Sequence, residues 1–324
     1  MHNLGEASAF QQMVGKLWSD IDESRHFPST QPLLAHYTSL STMESIFKGE
    51  ELWMSHPFLM NDHEELGWGI MKGTERFFNS KRIAQAVTNE DHYRVLMKAL
   101  MDARDVDGNT HSYDTYIACF CAHDRGDRDG RLSMWRAYGS NGGGVAIVFD
   151  TSMLVEDDQS PLIIAPVEYR TTAERYAWID NAIDIVASAI EALGPTASEA
   201  QLQDIADAYF ARIRFAALFS KHASFEEEKE WRVVYFPDRD PQGAFKQLMG
   251  YAITQKGIEP KLKLRLGERS LGRPLHLEDM VESILLGPTS GSLIARHAMS
   301  RLCELTGKPG LASRVHLSST PYRS

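Results

Sequence analysis

An alanine-rich stretch with helical spacing, 172 to about 222, lies between segments that read as β-strands. This placement constrains the fold more than any other feature, because a sheet must close across a helical interruption. A break at Gly194-Pro195 predicts two helices, close to 175–193 and 198–222. Strands are expected before them at 116–121, 145–149 and 162–169, and after them at 230–236. The pattern predicts an α+β fold: a single domain over 31–324 with a mixed, twisted sheet, flanking helices and the helical insertion at about 172–222.

The remaining periodicities fill in the frame. Residues 5–24 carry Phe10, Met13, Val14, Leu17 and Trp18 at helical spacing, so 1–30 reads as an N-terminal helix ended by the prolines at 28 and 32. Segments 33–38 and 51–55 read as strands. Ser41 and Glu44 have capping-box spacing, predicting a short helix over 42–48. Helices are expected at 68–78, 92–103 and 133–138, and a strand–helix–strand unit at 281–286, 290–306 and 314–318 closes the chain.

Hydrophobic residues make up 43% and charged residues 24%, enough apolar side chain for a sizeable core. No apolar run has transmembrane length and the N-terminus does not read as a secretory signal. Three cysteines cannot build a disulfide framework, so a reducing, cytoplasmic setting is expected. The net charge of −10 argues against coating of nucleic acid or an anionic membrane. The notable basic cluster, Lys256, Lys261, Lys263, Arg265, Arg269 and Arg273, reads as solvated surface.

Chemistry is concentrated in a few places. Glu226, Glu227, Glu228 and Glu230 run into a strand, where Glu228, Glu230 and Arg232 would share one face and Lys229, Trp231 and Val233 the other. Two carboxylates at a strand entrance can serve as a catalytic pair, or Glu230 can simply pair with Arg232. His36-Tyr37-Thr38-Ser39 ends a strand before a helix, a place where a histidine can bond a ribose or phosphate and a tyrosine can stack on a flat ring. Asn61, Asp62, His63, Glu64 and Glu65 are hard-metal ligand types, but their spacing fits no EF-hand and the pattern fits a turn and helix cap. Gly139 to Gly144 precedes a strand, unlike a phosphate-cradling loop, and reads as a turn.

Six ordered islands carry a resemblance: His36-Tyr37-Thr38-Ser39, Leu52-Trp53 with Ser55, Asn61-Asp62 with Glu65, Met134-Trp135 with Tyr138, Glu228 with Glu230-Trp231-Arg232, and Ser319 with Pro321-Tyr322-Arg323. As a set they resemble the bacterial family called domain of unknown function 2971. That family often has Pro and an aromatic where this chain has His63 and Glu64. More loosely, the chain resembles ADP-ribosyltransferases. That likeness implies NAD as a substrate, no metal, His36 on the nicotinamide-side ribose, and Glu230 stabilising an oxocarbenium-like centre. It also implies that Glu228 holds the acceptor or a ribose hydroxyl. Tyr37, Ser55 and Tyr138 remain alternatives for the nicotinamide pocket, with Thr38 beside them. His36 and Glu230 are then expected in one cleft. The acceptor is open: protein, nucleic acid, small molecule or water. Two other readings stand beside this one. The first is a metal-dependent nuclease or phosphohydrolase built on Asp62, His63, Glu65 and the 226–230 carboxylates. The second is a non-catalytic binding module whose polar islands are caps and core hydrogen bonds.

Overall fold

The strands on either side of the helical insertion join one sheet. The computed structural model describes residues 8–21, 31–60, 63–87, 89–108, 113–154, 159–254, 257–266 and 275–322. In chain order its elements are α1 (Ala9–Leu17), β1 (Leu33–Thr38), α2 (Leu40–Gly49), β2 (Glu51–Ser55), α3 (His63–Phe78), α4 (Lys81–Ala86), α5 (Glu90–Val106), β3 (Tyr116–Ala122), α6 (Leu132–Ala137), β4 (Val145–Asp150), β5 (Leu162–Pro166), β6 (Glu168–Arg170), α7 (Thr172–Leu193), α8 (Glu199–Leu218), β7 (Ser220–His222), β8 (Glu230–Tyr235), β9 (Met249–Thr254), β10 (Gly257–Arg265), α9 (Leu277–Met280), β11 (Val281–Leu286), α10 (Leu293–Leu305) and β12 (Val315–Leu317). Among the described residues no helix is long and apolar enough to cross a membrane.

The chain forms two compact units, one from 1–23, 60–114 and 168–224, the other from 24–59, 115–167 and 225–324. The first is helical. The inserted pair α7 and α8 does not stand alone: with α1, α3, α4 and α5 it encloses a core that includes Met13, Phe77, Leu96, Val186 and Tyr209. Capping boxes at Thr171/Glu174 and Ser198/Gln201 set the starts of α7 and α8, since each side-chain oxygen takes a backbone N–H that the first turn leaves unpaired. Arg212 is buried among Trp18, Trp178 and Phe215 and donates to Asp20 at 2.7 Å. Stacking of the guanidinium on aromatic faces offsets part of its lost hydration.

The second unit holds a ten-stranded sheet in the order β12-β11-β4-β1-β3-β2-β10-β9, with β8 also on β3 and β5 on β8. The sheet is mixed: β11 and β12 run parallel through the α10 crossover, and the other pairs are antiparallel. Alternation along the strands splits the core in two. Leu34, Phe120, Trp231, Val233, Ile147 and Ile284 face one layer, which α2, α9 and α10 cover through Phe47, Leu277 and Met299. Leu33, Ala35, Tyr37, Cys121, Val148 and Leu285 face the other, which α6 covers through Met134 and Trp135.

Several boundaries differ from the sequence reading. The helix after β1 begins two residues early because Ser39, not Ser41, is its cap and accepts the Thr42 N–H. The expected strand at 162–169 is two strands, β5 and β6, and β6 pairs with β7. β9 and β10 were not anticipated: the cationic residues at alternate positions of β10 made the segment read as solvated surface. Those cations are held by neighbours. Lys261 pairs with Glu259 and Ser55, Lys263 lies 4.1 Å from the Trp53 ring centre, and Arg265 lies 3.5 Å from Glu51. Lys256, Arg269 and Arg273 fall outside the described residues.

Candidate functional site

The sheet has a built-in opening. β8 lies along β3 from Tyr116 to Cys121, so β1 and β2 must share the other edge of β3. β1 pairs there only at Leu34–Ala122 and Ala35–Cys121, and β2 only at Ser55–Ile117. His36 sits where β1 departs. Its Nδ1 lies 3.1 Å from the Cys119 carbonyl oxygen. A carbonyl only accepts, so Nδ1 carries the proton and Nε2 keeps a lone pair. Burial lowers the His36 pKa, with the Cys119 bond acting the other way, so the ring is neutral at pH 7.

The register decides which candidates share a face. Cys121 is opposite both Ala35 and Glu230, and directly paired residues project to the same side. Glu230 and Arg232 therefore lie on the Tyr37 face. His36, the next residue along from Ala35, projects to the other. Thr38 goes with His36 and is buried. The expectation that His36 and Glu230 face one cleft is corrected by this alternation. Glu230 begins β8 while His36 lies inside β1, and their parity is opposite.

On the Tyr37 face the islands converge. The Tyr37 hydroxyl accepts the Arg131 backbone N–H at 2.8 Å, and its ring meets Trp135 edge-on at 4.9 Å. Trp135 Nε1–H donates to the Asp129 carbonyl, and the Ser319 N–H and hydroxyl both donate to the Asp129 carboxylate at 2.7 Å. Those Ser319 bonds hold the Asp129 carboxyl below its ordinary range. Gly130 has φ 71°, and a Cβ there would press on Tyr37 and Trp135. Tyr138 and Tyr322 pack against the same layer. Burial drives the Tyr37 phenol above its ordinary pKa and pushes the Cys121 thiol up to about 11, so both are neutral at pH 7.

Charges gather beside Cys121. Arg131, Glu228 and Lys229 are the charged neighbours that act on its thiol. The Nε of Arg131 is buried and bonds no described atom. Glu230 and Arg232 are buried and form a two-pronged pair, Nε–H to Oε1 at 2.8 Å and Nη2–H to Oε2 at 3.1 Å. Glu228 is also buried, but it ends a 3₁₀ turn rather than starting the strand. Between the carboxylates, Lys229 holds φ 43°, a conformation costly for a residue with a Cβ. That kink is why strand alternation does not extend back to Glu228.

The other expected residues are placed as follows. Ser55 is on the Tyr37 face, where its hydroxyl accepts from Lys261 Nζ at 2.9 Å. The glycine-rich loop is structural: Cβ atoms at Gly144 and Gly287 would collide with the backbones of Thr38 and Gly142. Asn61, Asp62 and Arg323 lie outside the described residues, and His63 and Glu65 begin α3. Among the described residues no group of three or more His, Cys, Asp or Glu side chains could hold a metal ion. Arg131, Cys121 and Asp129 were missed as site residues. Arg131 and Asp129 sit in a polar loop with no periodicity, and Cys121 reads as an ordinary core residue.

A family model described as "Protein of unknown function (DUF2971)" matches residues 134–233, from α6 through the start of β8. Over that span, which holds the Met134-Trp135-Tyr138 and Glu230-Trp231-Arg232 islands, the chain is similar to that family. No curated protein and no solved structure matches the chain.

Proposed function

We propose that the Tyr37 face binds a phosphate-bearing nucleotide of the NAD type, and that the protein is an ADP-ribosyltransferase-like or NAD glycohydrolase-like enzyme. The observation that carries this reading is the buried Nε of Arg131, which bonds no described atom, on a residue that contacts Cys121 and Tyr37, with Glu228 acting on the same thiol. A buried guanidinium donor left unpaired is costly, and an oxyanion satisfies it with a charge-assisted bond. In this reading Arg131 takes a pyrophosphate oxygen and Tyr138 lines the wall. Glu228 stabilises the positive charge that builds on the ribose as the C1′–nicotinamide bond breaks. Nicotinamide leaves with the bond's electron pair, and water or an acceptor attaches at C1′. Glu230 is given a positioning role, because its carboxylate is already committed to Arg232. His36, on the opposite face, has no part in the step.

The test uses the full chain with NAD, calorimetry for binding and chromatography for free nicotinamide. Arg131→Ala is expected to weaken NAD binding by about tenfold, the scale of one charge-assisted hydrogen bond. Glu228→Gln should bind normally and lose nicotinamide release by about two to three orders of magnitude. A wild-type chain that neither binds nor consumes NAD would leave the binding-module reading as the better account, in which the same islands serve as internal hydrogen bonds.

A further inference from the structure

Among the described strands, one end of the sheet has an unpaired edge. β9 is its terminal strand, and no described strand pairs with its outer edge. Proteins blunt such edges with charge, proline or a bulge, since a free row of N–H and C=O groups recruits other strands. β9, Met249–Thr254, contains no charged residue and no proline, and its register with β10 runs without a bulge from Met249–Leu262 to Thr254–Gly257.

The hairpin also outruns its support. β10 pairs with β2 only from Lys261 to Arg265, so among the described strands Gly257–Pro260 pairs with β9. A two-stranded ribbon is marginal by itself. Its faces are sharply unlike. Met249, Tyr251 and Ile253 project to one side opposite Leu262, Pro260 and Ile258, which makes six apolar residues in a block. Leu262 is fully buried in the core, and outward from it Tyr251 is 58% exposed, Ile258 74% and Ile253 82%. An apolar core face thus continues past the end of the sheet into solvent. The other side carries Thr254, Glu259 and Lys261, which bond one another.

We propose that β9 is a self-association edge, pairing antiparallel with β9 of a second copy of this chain about a two-fold axis. A two-fold places the same uncharged strand on both sides, so β9 itself brings no like charges to the seam even though each copy carries −10. A charged partner strand would find no counter-charge on β9. The apolar block of each copy is then continuous with that of its partner, covering Tyr251 and Ile253. Stable complexes bury about 800 Å² per partner, and one strand edge with three large exposed side chains supplies less. The dimer is therefore weak and concentration-dependent. Long-range repulsion between the two copies makes it tighten as salt screens their charge.

Sedimentation velocity on the full chain, over roughly 1–300 μM protein and at about 0.05 and 0.3 M NaCl, tests this. The expected result is a monomer–dimer equilibrium that strengthens with salt and weakens by at least about tenfold in Ile253→Lys. A matching circular dichroism spectrum and melting temperature in that variant are also expected, since Ile253 packs on little. An engineered pair, Ile253→Lys mixed with Ile253→Glu, should restore association as a heterodimer. A monomer at every concentration, association that weakens with salt, or a dimer indifferent to Ile253→Lys would each overturn the proposal. So would association with other proteins through β9 by a chain that never self-associates.

Discussion

Arg232→Met is the sharpest test of how the site is built. It removes the guanidinium while keeping most of the side-chain volume, and it takes the Arg232 charge away from a carboxylate whose side chain is only 4% exposed. Removing one partner of a buried pair costs about 3–5 kcal/mol, because the remaining charge can no longer be solvated. Glu230→Leu combined with Arg232→Met removes both charges, and its cost should fall to about 1 kcal/mol or vanish. Urea denaturation of the wild type, both single variants and the double variant closes a cycle, with a coupling energy of at least about 2 kcal/mol expected. The pH dependence carries a sign. Burial of a carboxylate that has lost its counter-charge favours its neutral form, so the deficit of Arg232→Met is expected to be larger at neutral pH than in acid. A deficit under about 1 kcal/mol that does not change with pH would refute the reasoning. It would show Glu230 to be open enough for solvent, and so available for chemistry.

Two further outcomes are expected. Trp135→Ala should destabilise the protein by about 3–5 kcal/mol in urea melts, since the ring is fully buried, packs on Tyr37 and donates to Asp129; a folded variant of unchanged stability would make the ring part of an open pocket. Burial pushes the thiols of Cys121 and Cys303 up to about 11, so iodoacetamide at pH 7.5 should leave both unmodified in the native protein and label both in urea, as read by mass spectrometry; rapid native labelling of Cys121 would contradict its enclosure.

The sequence by itself determined most of the local structure. β1, β2, β3, β4, β8 and β11 were readable because their apolar residues alternate or run continuously. The paired helices α7 and α8 were readable because alanine-rich helical spacing and Gly194-Pro195 leave little else to form. The Glu230–Arg232 pair followed from period-two spacing alone. What the sequence could not decide is parity across non-adjacent strands. His36 and Glu230 look equivalent in one dimension, and only the Ala35–Cys121–Glu230 register shows that they face opposite sides of the sheet. The same holds for Arg131 and Asp129, whose loop has no periodicity to read. They reach Tyr37, Trp135 and Ser319 because β1, α6 and the chain after β12 converge there. Local spacing encodes elements because its physics acts within a few residues. Which side chains meet depends on pairing between segments far apart in the chain, and that only the tertiary fold decides.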